Sequence, residues 1–340
     1  MATVEYIIEG IFQPIIGLVH PATPLNIYTL TGALVFTAGL FVWLRLRRRH
    51  TGPGGFRQFA LARDIYAHPS ATLDYRFYFV NGAIGAMVFA VMIASTAGWR
   101  DLAAEGFGGI FGPAASTTDP GWGVRIGVTV AVIVAFDLGY WFSHWLQHRV
   151  PALWEFHKVH HSAAVLTPAT TWRQHPVEEV LVANCVAAPV GIVLGVAAWV
   201  FGPGATEIAL WKVNVLLLVY FATFFHLRHS HVWLPLTGLA GRILQSPAHH
   251  QIHHSDDPRH FNRNLGFCLS IWDWAFGTLY VPGRREELTF GLGAETDDYS
   301  SIRRLYAVPF VKLARRWRER GGVPAADPGG EPRSEPAVSG

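Results

Sequence analysis

The sequence predicts an all-α fold: a multi-pass transmembrane helical bundle of about four to five spans with a cytoplasmic, histidine-rich helical cap. Three observations predict it. Hydrophobic residues make up 51% of the 340 residues and charged residues only 15%, where a soluble domain carries about 25% charged. The mean hydropathy is positive, so lipid is the implied solvent. Five stretches approach the roughly 20 apolar residues that a spanning helix needs. Finally, 14 of the 17 histidines fall between His144 and His260.

The five stretches are Ile27–Leu44, Phe77–Ala97, Ile126–Ser143, Val180–Phe201 and Ile208–Phe225. The last holds Lys212 near its start, where a lysine can snorkel to the interface. Arg45, Arg47, Arg48, Arg49, Arg57, Arg63 and Arg76 crowd the loop between the first two spans. The loop from Gly98 to Arg125 has only Arg100 and Arg125, against Asp101, Glu105 and Asp119. The positive-inside rule therefore puts residues 45–76 in the cytoplasm. Counting onward, residues 144–179 and everything from His226 are also cytoplasmic, and Gly202–Glu207 is a tight outer turn. All the histidine-rich stretches thus meet at one membrane face.

A formal charge of +3 and a pI near 9.0 would suit nucleic acid, but the arginines lie between apolar spans, where membrane topology wants them. Nucleic acid is excluded as a partner. Cys185 and Cys268 are too few and too far apart for a disulfide framework or a CxxC metal site. The amino terminus shows no cleavable signal peptide, and Tyr6–Val19, interrupted by Glu9 and Pro14, reads as an interfacial or re-entrant helix. The chain divides into a membrane region with two spans (1–120), a histidine-bearing region (121–285), an amphipathic segment (286–319) and a disordered tail rich in Pro, Gly, Ser and Glu (320–340). Residues 302–319 fit a basic amphipathic helix, either on an anionic leaflet or simply solvated.

The histidines carry the chemistry. His144 and His148 form HxxxH, which on a helix puts both imidazoles on one face. HxxHH follows at His157, His160 and His161, and again at His250, His253 and His254. On a helix, two imidazoles of HxxHH can bind one metal while the third turns to its neighbour. Eight or more clustered imidazoles exceed the needs of one ion, so two are implied. Neutral imidazole suits Fe, Zn, Cu and Ni alike. His226, His229 and His231 compete for one or two further positions. His20, His50 and His68 read as loop or interface residues, and His175 and His260 as hydrogen-bonding supports.

Two acids read as supports behind the ligands. Asp137 lies seven residues before His144 on the same helical stripe, and a buried acid there would orient a ligand imidazole or bond a neighbouring helix. Asp273 would orient a histidine of the third box or cap a helix. Asn264, Asp256 and Asp257 also lie near that box, where the aspartates beside Pro258 fit a plain turn.

The three boxes, in this order and relation to the spans, resemble the fatty acid hydroxylase / sterol desaturase superfamily of membrane di-iron enzymes. The run from His249 through Gly266, HHQIHHSDDPRHFNRNLG, followed by IWDWAFGT from Ile271, is similar to its bacterial branch. The resemblance covers roughly residues 125–285 and makes 121–285 the catalytic domain. It implies metal ligands at His144, His148, His157, His160, His161, His250, His253 and His254. His229 matches the family's histidine after the last span, and His226, His231 and His249 stay open.

It further implies two iron ions, replaceable by zinc in isolated protein, O2 as co-substrate, and hydroxylation of a membrane lipid or sterol-like molecule. Desaturation at the same centre is the alternative. Electrons would come from an external donor, a ferredoxin or a cytochrome with its reductase, because the chain has no cysteine cluster or dinucleotide fingerprint. The implied location is a bacterial inner membrane, with the site on the cytoplasmic face. A bis-histidine haem carrier fits HxxHH doublets poorly. A zinc transporter would hold its site near the bilayer midplane, not at the rim.

Overall fold

The computed structural model describes residues 12–47, 54–92, 95–115 and 119–320. The first part of the 6–19 segment, the residues Arg48, Arg49 and His50, and nearly all of the 320–340 tail lie outside the described residues. Residues 12–19 are helical.

Among the described residues, three helices are long and apolar enough to cross a membrane: α1 (Ile27–Leu46), α4 (Gly121–Arg149) and α6 (Pro176–Phe201). They expose apolar side chains such as Val35, Val42, Ile126, Val130, Ile192 and Val200, a surface suited to lipid. Helix α1 starts at a capping box, in which Asn26 accepts from the backbone N–H groups of Tyr28 and Thr29, and the Thr29 side chain returns the bond. Helix α6 starts with His175 as its cap, Pro176 in its first turn, and Glu178 and Glu179 where the helix dipole favours acids.

The second apolar stretch folds as α2 (Pro69–Met92). The segment read as an outer loop from Gly98 instead belongs to a helix, α3 (Thr96–Phe111), capped by Ser95. It packs along α6 at Gly191 and Gly195, where any Cβ would collide with Trp99 or with the Arg100 carbonyl. Four glycines within α3 lower its intrinsic helicity, which disguised it as loop. Helices α4 and α6 approach as closely, since a Cβ on Gly139 would strike the Cys185 carbonyl.

The fifth span is corrected. Residues Ala209–Leu210 (β1) and Val213–Asn214 (β2) form a two-stranded hairpin, turned by Trp211 and Lys212 at positive φ, 53° and 65°. The apolar helix that follows, α7, covers only Val215–Arg228. At about 1.5 Å per residue it is roughly 21 Å long, short of the ~30 Å hydrocarbon core. Its middle is a π-helical turn, Phe221–Phe225, the kind of local unwinding often found at functional sites.

Outside the three long apolar helices lie α5 (Pro151–His161), α8 (Pro247–His253) and α9 (Ile302–Arg320). Phe77 of α2, Val159 of α5, Leu305 of α9 and Tyr299 just before it form one buried apolar cluster. The basic carboxy-terminal helix therefore docks on the protein through Leu305, while Phe310, Val311 and Trp317 remain exposed. A buried ion pair, Arg173 Nη1 to Asp74 Oδ1 at 2.8 Å, braces the same junction, and Arg173 also donates to the carbonyls of Val159 and Tyr299.

Candidate metal centre

The boxes converge in two groups. His144, His148, His157, His161 and His253 form the first, and His160, His229, His250 and His254 the second; within each group, the nitrogens that could bind a metal lie within 4.8 Å of one another. Helical periodicity explains the division. His144 with His148, and His157 with His161, are i,i+4 pairs that serve the first group, whereas His250 with His254 serve the second. The remaining histidine of each HxxHH, His160 or His253, crosses to the other group. The groups abut: the rings of His161 and His254 have centroids 4.6 Å apart, and those of His250 and His253 5.3 Å.

The donor set fits metal ions. His144 Nδ1 donates to the Leu265 carbonyl at 2.7 Å, and His253 Nδ1 to the Arg263 carbonyl at 2.8 Å. His157 Nδ1 meets Glu178 Oε1 at 2.8 Å. With the proton on Nδ1, each Nε2 is left with a lone pair. Yet Nε2 of His157 lies 3.0 Å from that of His144 and 3.1 Å from that of His161. Facing lone pairs repel unless a cation lies between them. Metal–nitrogen bonds of about 2.0–2.1 Å meeting at roughly right angles put neighbouring nitrogens about 3 Å apart. In the second group, His229 Nε2 stands 3.3, 3.0 and 2.9 Å from Nε2 of His160, His254 and His250. Nε2 of both His148 and His253 is buried without a hydrogen-bond partner, as a ligand atom would be.

Electrostatics agree. Burial pushes His157 and His253 down to about 3. His160, His161, His229, His250 and His254 are also held well below the usual imidazole value, by burial first and by neighbouring imidazoles or Arg228 next. Neutral imidazole is the metal-binding form.

Three open histidines stand apart. His226 Nε2 meets Thr29 Oγ1, His231 Nε2 donates to the Phe59 carbonyl, and His249 is held between Ser246 and the Gly241 carbonyl.

The two acids need correction, since neither touches an imidazole. Asp137 Oδ1 accepts from the backbone N–H groups of Phe267, Cys268 and Leu269. Asp273 accepts from the N–H groups of Leu265 and Gly266, and from Gln245, Thr278 and Trp141. Together they fix the 265–269 loop, whose Leu265 carbonyl orients His144. An acid on a ligand's stripe can reach an adjacent backbone as readily as an imidazole, and helical spacing does not distinguish the two.

Sequence reasoning missed the direct supports. Glu178 holds His157, Thr171 Oγ1 lies 2.9 Å from His229 Nδ1, and an Arg228 Nη lies 2.8 Å from His250 Nδ1. The available signal was an acidic pair, Glu178-Glu179, at the mouth of an apolar span.

Two cavities reach the centre. One of about 560 Å³ includes His160 and His229 in its wall, with Phe136, Trp172, Phe225 and Phe267. The other, about 730 Å³, is lined by His148, His161, His253 and His254 together with Lys158 and Glu295.

A fatty acid hydroxylase family model matches residues 129–278. Alkylglycerol monooxygenases are similar: that of Caenorhabditis elegans is 23% identical over 46% of this chain and 27% of its own length, and that of Danio rerio 25% over 50% and 33%. An ornithine lipid hydroxylase of Rhizobium tropici is 29% identical over 43% of this chain and 39% of its own length. The chain thus spans about a quarter to two fifths of these curated relatives. No solved structure matches it. Residues 129–278, which hold all nine clustered histidines, are thus similar to the fatty acid hydroxylase family.

Proposed function

We propose that the protein is an integral membrane lipid hydroxylase working with two iron ions and O2. The observation that carries this reading is the direct opening of the second imidazole group onto an aromatic chamber. Its volume is that of a typical small-molecule site. His144, His148, His157, His161 and His253 would hold one ion, and His160, His229, His250 and His254 the other. Zinc also fits such a donor set in isolated protein. When bound, the metal pair supplies O2 activation and attack on an unactivated C–H bond.

The chain's own residues do the rest. Glu178, Thr171 and the Leu265 and Arg263 carbonyls hold the rings of His157, His229, His144 and His253 in one orientation. Phe136, Trp172, Phe225 and Phe267 exclude water and align an alkyl chain beside His160 and His229. The balance requires a C–H bond, O2, two electrons and two protons to give an alcohol and water. The polar cavity over the first group suits traffic in protons and water. Two cysteines cannot hold an iron–sulfur cluster, so electrons come from a ferredoxin or a cytochrome with its reductase. The names of the relatives, monooxygenase and hydroxylase, favour oxygen insertion over desaturation. The arginine-rich 45–76 loop favours a cytoplasmic site in a bacterial inner membrane.

Comparative lipid mass spectrometry of cells with and without the protein, under heavy dioxygen, tests the reading. One lipid should gain one labelled oxygen atom. Loss of two hydrogens would turn the reading to desaturation, and an unchanged lipid profile would overturn it. A tag after Gly340 that is reached only from the periplasm would overturn the orientation.

A further inference from the structure

We propose that Arg228 forms an anion-binding subsite in the aromatic chamber, which takes a carboxylate or phosphate group of the lipid beside the second imidazole group. This inference rests on the lipid hydroxylase reading and names the substrate class. Arg228 is 2% exposed and lines the chamber together with His160 and His229. Among the described residues no carboxylate forms an ion pair with it. One Nη lies 2.8 Å from His250 Nδ1, the Phe267 ring lies under the guanidinium at 4.7 Å, and the Tyr140 hydroxyl is close by. Its Nε is buried with no hydrogen-bond partner. The ion pairs that other arginines make show the contrast, since each has a carboxylate within reach: Arg100, Arg173, Arg259, Arg315 and Arg316. The chamber's one acid among its described lining residues, Glu179, is engaged by Asn81 at 2.7 Å.

A buried cation without a counterion is costly, and natural folds rarely keep one without a partner. The nine imidazoles are neutral ligands, so a metal pair would add positive charge beside Arg228. An anion entering the chamber is the ligand that neutralises this excess. Guanidinium is the side chain whose fork matches carboxylate and phosphate oxygens. The π-helical turn Phe221–Phe225, directly before His226–Arg228, sets the last turn of α7 off the regular helical register. Arg228 and His229 both reach the chamber there.

The test uses the purified, metal-loaded full chain in detergent and four probes of equal chain length: hexadecanoate, hexadecyl phosphate, hexadecanol and hexadecyltrimethylammonium. Binding is read by calorimetry, apart from turnover. The two anions should bind more tightly than the alcohol, and the ammonium most weakly. Arg228→Gln should weaken anion binding about 10- to 100-fold, the usual worth of hydrogen bonds to a charged group, with alcohol binding unchanged. If hexadecanoate alone gains, the lipid carries a carboxylate; if hexadecyl phosphate gains more, it carries a phosphate.

Should Arg228→Gln fail to retain metal, Arg228→Lys is read instead. It keeps the charge and loses the fork, so weaker anion binding with intact alcohol binding supports the subsite. Equal affinity for anion and alcohol in the unmutated protein, or anion binding untouched in either variant, overturns it. Absence of any oxidised lipid would sink the hydroxylase reading instead, because headgroup preference is measured without turnover.

Discussion

The two imidazole groups share a ligand type but differ in surroundings. The first has five histidines and opens onto a cavity edged by Lys158, Glu295 and Arg316. The second has four and opens onto Phe136, Trp172, Phe225 and Arg228. The first draws its outer support from backbone carbonyls and one carboxylate, Glu178. The second draws it from Thr171, with a guanidinium beside His250. Neutral imidazoles alone would make the two equivalent. The difference lies in what faces them: a polar, charge-lined side and an apolar, aromatic side.

Ligand removal is the most severe way to test that contrast. His160→Ala should lose bound metal and all turnover while the protein remains in the membrane, and His148→Ala should do the same from the other group. Metal analysis of the purified variants checks this, and unchanged metal content would remove the residue from the site.

Acid comes next. In metal-free protein, unfolded imidazoles take up protons near 6.5, whereas folded His157 and His253 refuse them until about 3. The unfolded state then binds more protons, so stability falls as pH drops below about 6.5, by about 1.4 kcal/mol per such histidine per pH unit. Thermal melts at pH 7 and pH 5 should show the loss, and bound metal should suppress it. A flat profile would mean that the rings are not held neutral.

Glu178→Gln is milder. It keeps a hydrogen bond to His157 but removes the charge, and metal affinity should fall about 10- to 100-fold. A chelator titration would show the change, confined to the first group. The smallest effect belongs to Glu295, 47% exposed and bridging Lys158 and Lys312. Glu295→Gln should leave metal content intact and cost under about 1 kcal/mol, as surface ion pairs do. Loss of metal there would join the polar rim to the centre and blur the contrast.

Much of the site was legible because helix geometry is local. The i,i+4 pairs at His144/His148, His157/His161 and His250/His254 state from spacing alone which rings share a face. The third histidine of each HxxHH points aside for the same reason. The fold was legible where apolar runs were long and unbroken, as in α1, α4 and α6. It was obscured where composition and structure diverged. Glycines hid α3, and the apolar run 208–225 conceals a hairpin turned at Trp211 and Lys212 before a short helix.

The amino-acid order itself determined the apolar composition and the eight histidines of the three boxes, because each follows from residue type and nearest-turn spacing. Tertiary structure alone decided what stands behind each ring. Leu265 reaches His144 across 121 residues, Thr171 reaches His229 across 58, and Glu178 reaches His157 across 21. It also turned Asp137 and Asp273 from expected imidazole partners into anchors of the 265–269 loop. A hydrogen-bond partner is chosen by position in space, and no period in a sequence records which distant backbone will pass within 3 Å.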